Sequence, residues 1–268
     1  MSKVAADGSI RTTAHSAAVA SGGWREGIIV LVIVLAPVGL AVMLTTLGVL
    51  AYASWTRALG GIPYVPAWRE MQPIGMLAFV ISSCIAVAAA WRWSQRRGLH
   101  REVFLFRRLT WPATAASLVG FLVALYGAPV ATHWLSHVTG GAGPGARINF
   151  HSPYMTAIYL LLFVVTAPLS EEILYRGLLV AWLRRVGWND ATIWLVGSLI
   201  FGANHIIPLG LVWSVVMTAL GAILFALRLR YNSLTPAWLT HVLFNAQPFL
   251  ILPLINRFAP GLLPGYIS

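Results

Sequence analysis

The sequence predicts an all-α protein, a polytopic transmembrane helical bundle of about seven spans. Three observations carry that prediction. The 268 residues are 59% hydrophobic and only 9% charged, and the mean hydropathy is +0.79. The apolar residues come in long runs, many approaching the roughly 20 residues that cross a bilayer as a helix. The basic residues, all arginine except Lys3, fall mainly between those runs. In a soluble chain a net charge of +11 would suggest nucleic acid. Between apolar runs it reads as anchoring at the cytoplasmic face, and no nucleic-acid partner is expected. The single cysteine, Cys84, excludes an intrachain disulfide and reads as a small buried hydrophobe.

The chain opens on "MSKVAADGSIRTTAHSAAVASGG", small and polar, and residues 1–27 read as a disordered cytoplasmic tail. The first span, 28–52, is too long for a signal-peptide core and lacks a well-placed cleavage site, so it is retained. A second span, 73–92, leads into "RWSQRRGLHREVFLFRR", a basic loop whose "FLFRR" reads as an amphipathic piece on the membrane surface. After a third span, 111–135, the glycine-rich "VTGGAGPGARINFHSP" is an outer loop. Four more spans follow at 154–183, 191–207, 210–229 and 235–256. Thr235-Pro236 reads as an N-cap followed by proline at the first helical position. Pro248 and Pro253 interrupt the last span, which kinks or splits into an eighth. Tryptophans such as Trp55, Trp91, Trp93, Trp111 and Trp134 fall near span ends, as interface anchors do.

Arginine placement sets the expected orientation. With the N-terminus in the cytoplasm, Lys3, Arg11, Arg25, Arg92, Arg96, Arg97, Arg101, Arg107, Arg108, Arg184, Arg185, Arg228 and Arg230 lie inside. Only Arg57, Arg69, Arg147 and Arg257 lie outside, and Arg176 sits within a span. Residues 28–150 then form an N-terminal set of spans with the basic loop, 151–256 a second set, and 257–268 a C-terminal tail. No repeat at a fixed period relates the two sets.

The acidic residues are the informative ones. Asp7, Glu26, Glu70, Glu102 and Asp190 lie in tails, loops or helix ends, whereas Glu171 and Glu172 lie deep in an apolar span. A charged side chain there costs at least about 2.5–3.5 kcal/mol, and two adjacent ones also repel. Glu172 and Arg176 are four residues apart, share a helical face and can pair. Glu171 points elsewhere and stays free for chemistry. The plainer reading is a buried polar staple, which needs no second carboxylate.

Partners for Glu171 come from two other spans. "FGANH" puts Phe201 and His205 at i and i+4, and "HVLFN" does the same for His241 and Asn245. Counted at 1.5 Å per residue from the cytoplasmic ends, Glu171, His205 and His241 lie at similar depths of about 17–22 Å. His133 and His137 near the outer end of the third span read as interfacial. A glutamate, two histidines and an asparagine in a dry cavity suit amide hydrolysis. The carboxylate takes a proton from water, and histidine and asparagine donors serve a developing oxyanion. No serine or cysteine stands in a nucleophile motif, which favours attack by water.

Glu171-Glu172-x-x-x-Arg176, Phe201-x-x-x-His205 and His241-x-x-x-Asn245, in that order on separate spans, resemble the CPBP family. Its members are intramembrane proteases related to the type II CAAX prenyl endopeptidases and to bacteriocin-processing or immunity proteins. The resemblance covers about 166–247. It implies a helical intramembrane fold, with 151–256 as the catalytic core. By the same resemblance, the position of Glu171 activates water with that of His205, and His241 and Asn245 match the oxyanion pair. Glu172, Arg176 and Phe201 are supporting residues. No cofactor is favoured; zinc is the alternative, with Glu171, His205 and His241 as a 2-His-1-carboxylate set. Asn245 suits an oxyanion better than zinc. The expected function is an intramembrane endopeptidase acting on a membrane-associated peptide or protein, from an integral multi-pass plasma membrane location. A non-catalytic immunity or scaffold protein on the same fold, and a transporter, are the alternatives.

Overall fold

The computed structural model describes residues 8–59, 68–139, 157 and 160–258. Much of the outer loop, with Arg147 and His151, and the tail beyond 258 lie outside the described residues. Among the described residues every regular element is helical. We number them α1 (Gly8–Ala58), α2 (Trp68–Arg97), α3 (His100–Val103), α4 (Trp111–Thr139), α5 (160–185), α6 (Asp190–Ala203), α7 (Ile206–Tyr231), α8 (Leu234–Ala246) and α9 (Leu252–Phe258).

Four stretches of helix are long and apolar enough to cross a membrane: Gly23–Ala58, Ile74–Arg97, Trp111–Thr139 and Ile206–Tyr231. Their outward faces are apolar, with Leu44, Leu47, Leu122, Val123 and Leu211 exposed. A chain that turns leucine and valine outward along whole helices is built for lipid. The protein is an integral membrane protein. The expected seven spans are not all matched by this measure. α6 has 14 residues, and the last predicted span is divided by a π-helical turn at Gln247–Ile251, where Pro248 sits, before α9 begins. α1 starts at Gly8, well ahead of the predicted first span. Cys84 is exposed, not buried. In a membrane protein an outward helix face is apolar too, so a weakly polar thiol is at home there. Trp93 corrects the interface-anchor reading in the other direction, since it is 9% exposed and packs in the core.

One end of the bundle collects the basic residues. Arg97 at the end of α2 pairs with Glu26 of α1 at 3.0 Å. Arg185 at the end of α5 donates to the Arg97 carbonyl at 2.9 Å. Arg184 pairs with Asp190 of α6 at 3.1 Å. The Arg107 N–H donates to Ser233 and Thr235 beside the start of α8 at 3.2 and 3.1 Å. The cap of α8 is Ser233, whose hydroxyl accepts from the Thr235 N–H. The sequence reading placed this cap at Thr235. Thr235 Oγ1 instead donates to the Arg107 carbonyl at 2.7 Å. A tertiary partner has taken the hydroxyl, so the cap moves to the preceding serine.

α5 is where the fold departs most from a plain α-helix. It runs as π-helix over Leu160–Thr166, α-helix over Ala167–Glu171, π-helix over Glu172–Leu179 and α-helix over Val180–Arg185. Such π segments are rare and concentrate at functional sites, because the wider turn re-aims side chains and loosens main-chain pairing. Leu174, Leu178 and Val180 are fully buried in the core with Phe201, Leu224, Phe225 and Leu234. α5 meets α3 so closely that a Cβ on Gly177 would strike the Val103 carbonyl oxygen. α6 and α7 pack side by side, with a Cβ on Gly202 running into Thr218. α7 kinks near its start at Gly210, whose φ of 80° favours glycine.

Candidate active site

Glu171 closes the central α-helical turn of α5, and Glu172 opens its second π segment. Glu172 is fully buried, and its Oε1 accepts from Arg176 Nη1 at 3.3 Å. The i, i+4 pairing read from sequence is therefore present. The same oxygen also accepts from His241 Nδ1–H at 2.9 Å. Glu172 thus joins α5 to α8, a role spacing alone does not reveal. His241 Nε2 points the other way, 3.7 Å from Glu171 Oε2. That Glu171 oxygen is buried and has no hydrogen-bond partner. Glu172 Oε2 is likewise buried without a hydrogen-bond partner, so the difference between the two carboxylates lies in Glu172 Oε1, which two donors hold.

Arg176 is fully buried. Besides Glu172 it touches the faces of Phe201 and Phe225, with its guanidinium carbon 4.2 and 4.5 Å from the ring centroids. A desolvated cation on two aromatic faces is stabilised by more than its carboxylate. Phe201 is the hub of the site. Its ring lies 4.8 Å from His205, 6.1 Å from His241 and 5.1 Å from Tyr175. It belongs to α6, so one aromatic fixes the spacing of α5, α6 and α8.

His205 stands just past the end of α6 and is the N-cap residue of α7. The last carbonyls of a helix lack intrahelical partners. His205 Nδ1–H supplies one, donating to the Phe201 carbonyl at 2.7 Å. Ser214 of α7 supplies another, donating to the Gly202 carbonyl at 2.7 Å. In the neutral ring Nε2 of His205 then carries the lone pair. Asn245, at the other end of the His241 motif, donates from Nδ2 to the Phe163 carbonyl in the first π segment at 2.8 Å. It clamps α8 to the start of α5 and keeps a second amide hydrogen for other use.

Every site residue expected from sequence therefore sits on α5, α6–α7 or α8, and Glu171, Glu172, Arg176, Phe201 and His241 are joined by contact. Asn245 is placed against Phe163, and His205 against Phe201. Among the described residues no group of three His, Cys, Asp or Glu is arranged to hold a metal ion. His241 already faces a carboxylate with each ring nitrogen, and His205 Nδ1 serves a carbonyl. Two residues were missed by the sequence reading. Phe225 and Arg228 lie on α7, and Arg228 was counted among the charges of the cytoplasmic side. Their spacing relative to α5 is a tertiary fact with no local signal.

A polytopic membrane protein with a buried Glu–His centre is the class that fold and site define. Residues 153–247 match the family described as type II CAAX prenyl endopeptidase Rce1-like. The match takes in α5 through α8 and points to a peptidase. No curated protein and no solved structure matches the chain.

Proposed function

We propose that the protein is an intramembrane endopeptidase in which Glu171 activates water for attack on a peptide bond of a membrane-associated peptide or protein. The observation that carries this is the contrast between the two carboxylates. Glu172 is held through Oε1 by Arg176 and His241, with its Oε2 buried and unpartnered, while the buried Glu171 Oε2 is unpartnered and faces His241 Nε2 at 3.7 Å. A buried acceptor left open next to a held one is a place for a water proton.

Glu171 takes one proton from water as its oxygen bonds to the scissile carbonyl carbon. His205 Nε2 orients that water. The carbonyl oxygen gains the negative charge and is met by the free Asn245 amide hydrogen and by His241, which in its charged form donates from Nε2 as well as Nδ1. Glu171 then gives its proton to the leaving nitrogen, the carbon–nitrogen bond breaks, and an acid and an amine separate. Glu172 keeps the His241 ring turned toward Glu171. In this reading the chain resides in the plasma membrane with its N-terminus in the cytoplasm, and no metal takes part. Comparing the membrane proteome of cells carrying the wild type with that of cells carrying Glu171→Ala tests the function. Uncleaved precursors should accumulate in the variant. Identical proteomes would favour the non-catalytic scaffold.

A further inference from the structure

Arg228 lies one turn from the end of α7, in "ALRLRY", where an arginine ordinarily reaches out to the headgroups. Its neighbour Arg230 is exposed. Arg228 is instead 1% exposed. Its Nε donates to the main-chain carbonyl of Arg176 at 2.9 Å, and its Nη1 donates to Asn232 Oδ1 at 2.8 Å. Both acceptors are neutral amide oxygens, so charge pairing does not explain the placement. Asn232 holds a left-handed conformation at φ 43°, ψ 48°, and its Oδ1 also accepts from Arg184 Nη1 at 3.1 Å. Arg184 in turn grips Asp190 at the start of α6. One asparagine thus keys the ends of α5, α6 and α7 around Arg228.

The carbonyl that Arg228 holds belongs to the second π segment, and its residue is the one whose side chain holds Glu172. The geometry points to Arg228 as a positioning residue: it fixes the main chain of the π turn at Arg176 and, through Arg176 and Glu172, the ring of His241. The chain of contacts is continuous, from Arg228 to the Arg176 carbonyl, from Arg176 to Glu172 Oε1, and from that oxygen to His241 Nδ1. A small shift of the turn changes the direction in which His241 Nε2 faces Glu171. Misplacement of about 1 Å at a catalytic group costs on the order of 10²-fold in rate.

The consequence for His241 does not depend on the peptidase reading; only the kinetic arm of the test rests on it. Protein labelled with 15N-histidine in detergent reports the His241 Nδ1–H resonance, assigned by its loss in His241→Gln. In Arg228→Gln that resonance should move or broaden, while the His205 Nδ1–H resonance, donated to a carbonyl in α6, stays in place. Turnover of an identified substrate should fall roughly 10–100-fold in kcat with KM little changed. Arg228→Lys, which keeps one donor for the Arg176 carbonyl, should restore much of both. If Arg228→Gln does not fold, Asn232→Gly carries the test. It keeps the left-handed turn, removes the Oδ1 anchor, and should move the same resonance by less. A His241 resonance unmoved in the folded variants, with loss confined to melting temperature, overturns the proposal. If the wild type turns over no peptide, the peptidase reading fails and the resonance still decides the role of Arg228.

Discussion

Glu171 and Glu172 are chemically identical neighbours, and the fold makes them different. Glu172 is buried against a guanidinium and an imidazole, and Glu171 keeps a buried oxygen without a hydrogen-bond partner, 3.7 Å from His241 Nε2. Glu171→Gln should therefore fold normally and lose roughly 10²–10⁴ in rate, the range for a general base. Glu172→Gln should fail in two ways. It leaves a buried cation unpaired, which costs roughly 3–5 kcal/mol, and it loosens the His241 ring, so the rate of the folded fraction falls as well. Arg176→Gln should match it in stability. The double change Glu172→Gln with Arg176→Gln should lose less stability than the two singles together, as direct partners do. Melting curves in detergent beside turnover of one substrate check this. A less stable Glu171→Gln paired with a folded, inactive Glu172→Gln would reverse the assignment. On the proposed metal-free reading, in which Asn245 serves the oxyanion, activity should also survive prolonged chelation. Activity lost on chelation and restored by stoichiometric zinc would defeat the metal-free reading.

At the scale of elements, the site depends on two close approaches of helix to helix. Alanine in place of glycine within a helix ordinarily stabilises it by about 1 kcal/mol. Gly202→Ala should do the opposite here, because the added Cβ meets Thr218 and pushes α6 off α7. The displaced end of α6 carries Phe201 and leads directly into His205, so rate should fall by at least 10-fold together with a lower melting temperature. Thr218→Ala in the same protein should recover only part of the loss, because the Ser214 carbonyl still stands 2.7 Å from the added Cβ; a Gly202→Ala protein as stable and active as the wild type would show that the close approach does not matter. The α5 π segments explain why the sequence pattern was only partly readable there. The i, i+4 pairing of Glu172 with Arg176 holds across the wider turn, but the carbonyl of Arg176 becomes available to Arg228. Spacing rules for a regular α-helix do not include that.

For the molecule as a whole, the basic ends of α2 and α5 and the chain around the start of α8 lie together, joined through Arg97, Arg185 and Arg107. Arg184 and Arg228 meet at Asn232 at the α7 end. We propose that this cluster faces the cytoplasm, as the bias of basic residues toward that side predicts. In a chain where Cys84→Ala removes the exposed native thiol, Gly145→Cys should label from outside intact cells and Arg101→Cys should not. Protection at 145 with labelling at 101 would reverse the topology.

Composition and the long apolar runs determined that this protein is a helical bundle in a membrane, because a continuous run of about 20 apolar residues in lipid satisfies its own backbone only as a helix. The carboxylate pair, the two histidines and the asparagine were legible for a related reason: polar groups are costly in lipid, so those that persist stand out against an apolar background. Tertiary structure decided how they meet. The bond from His241 to Glu172, the carbonyl partners of His205 and Asn245, the outward turn of Cys84 and the inward turn of Arg228 all depend on which helices pack together. Local spacing orders residues on one helix and says nothing of its neighbour. A single-sequence pattern cannot tell an arginine that reaches for headgroups from one that folds back to hold a carbonyl, since both occupy the same position at a helix end.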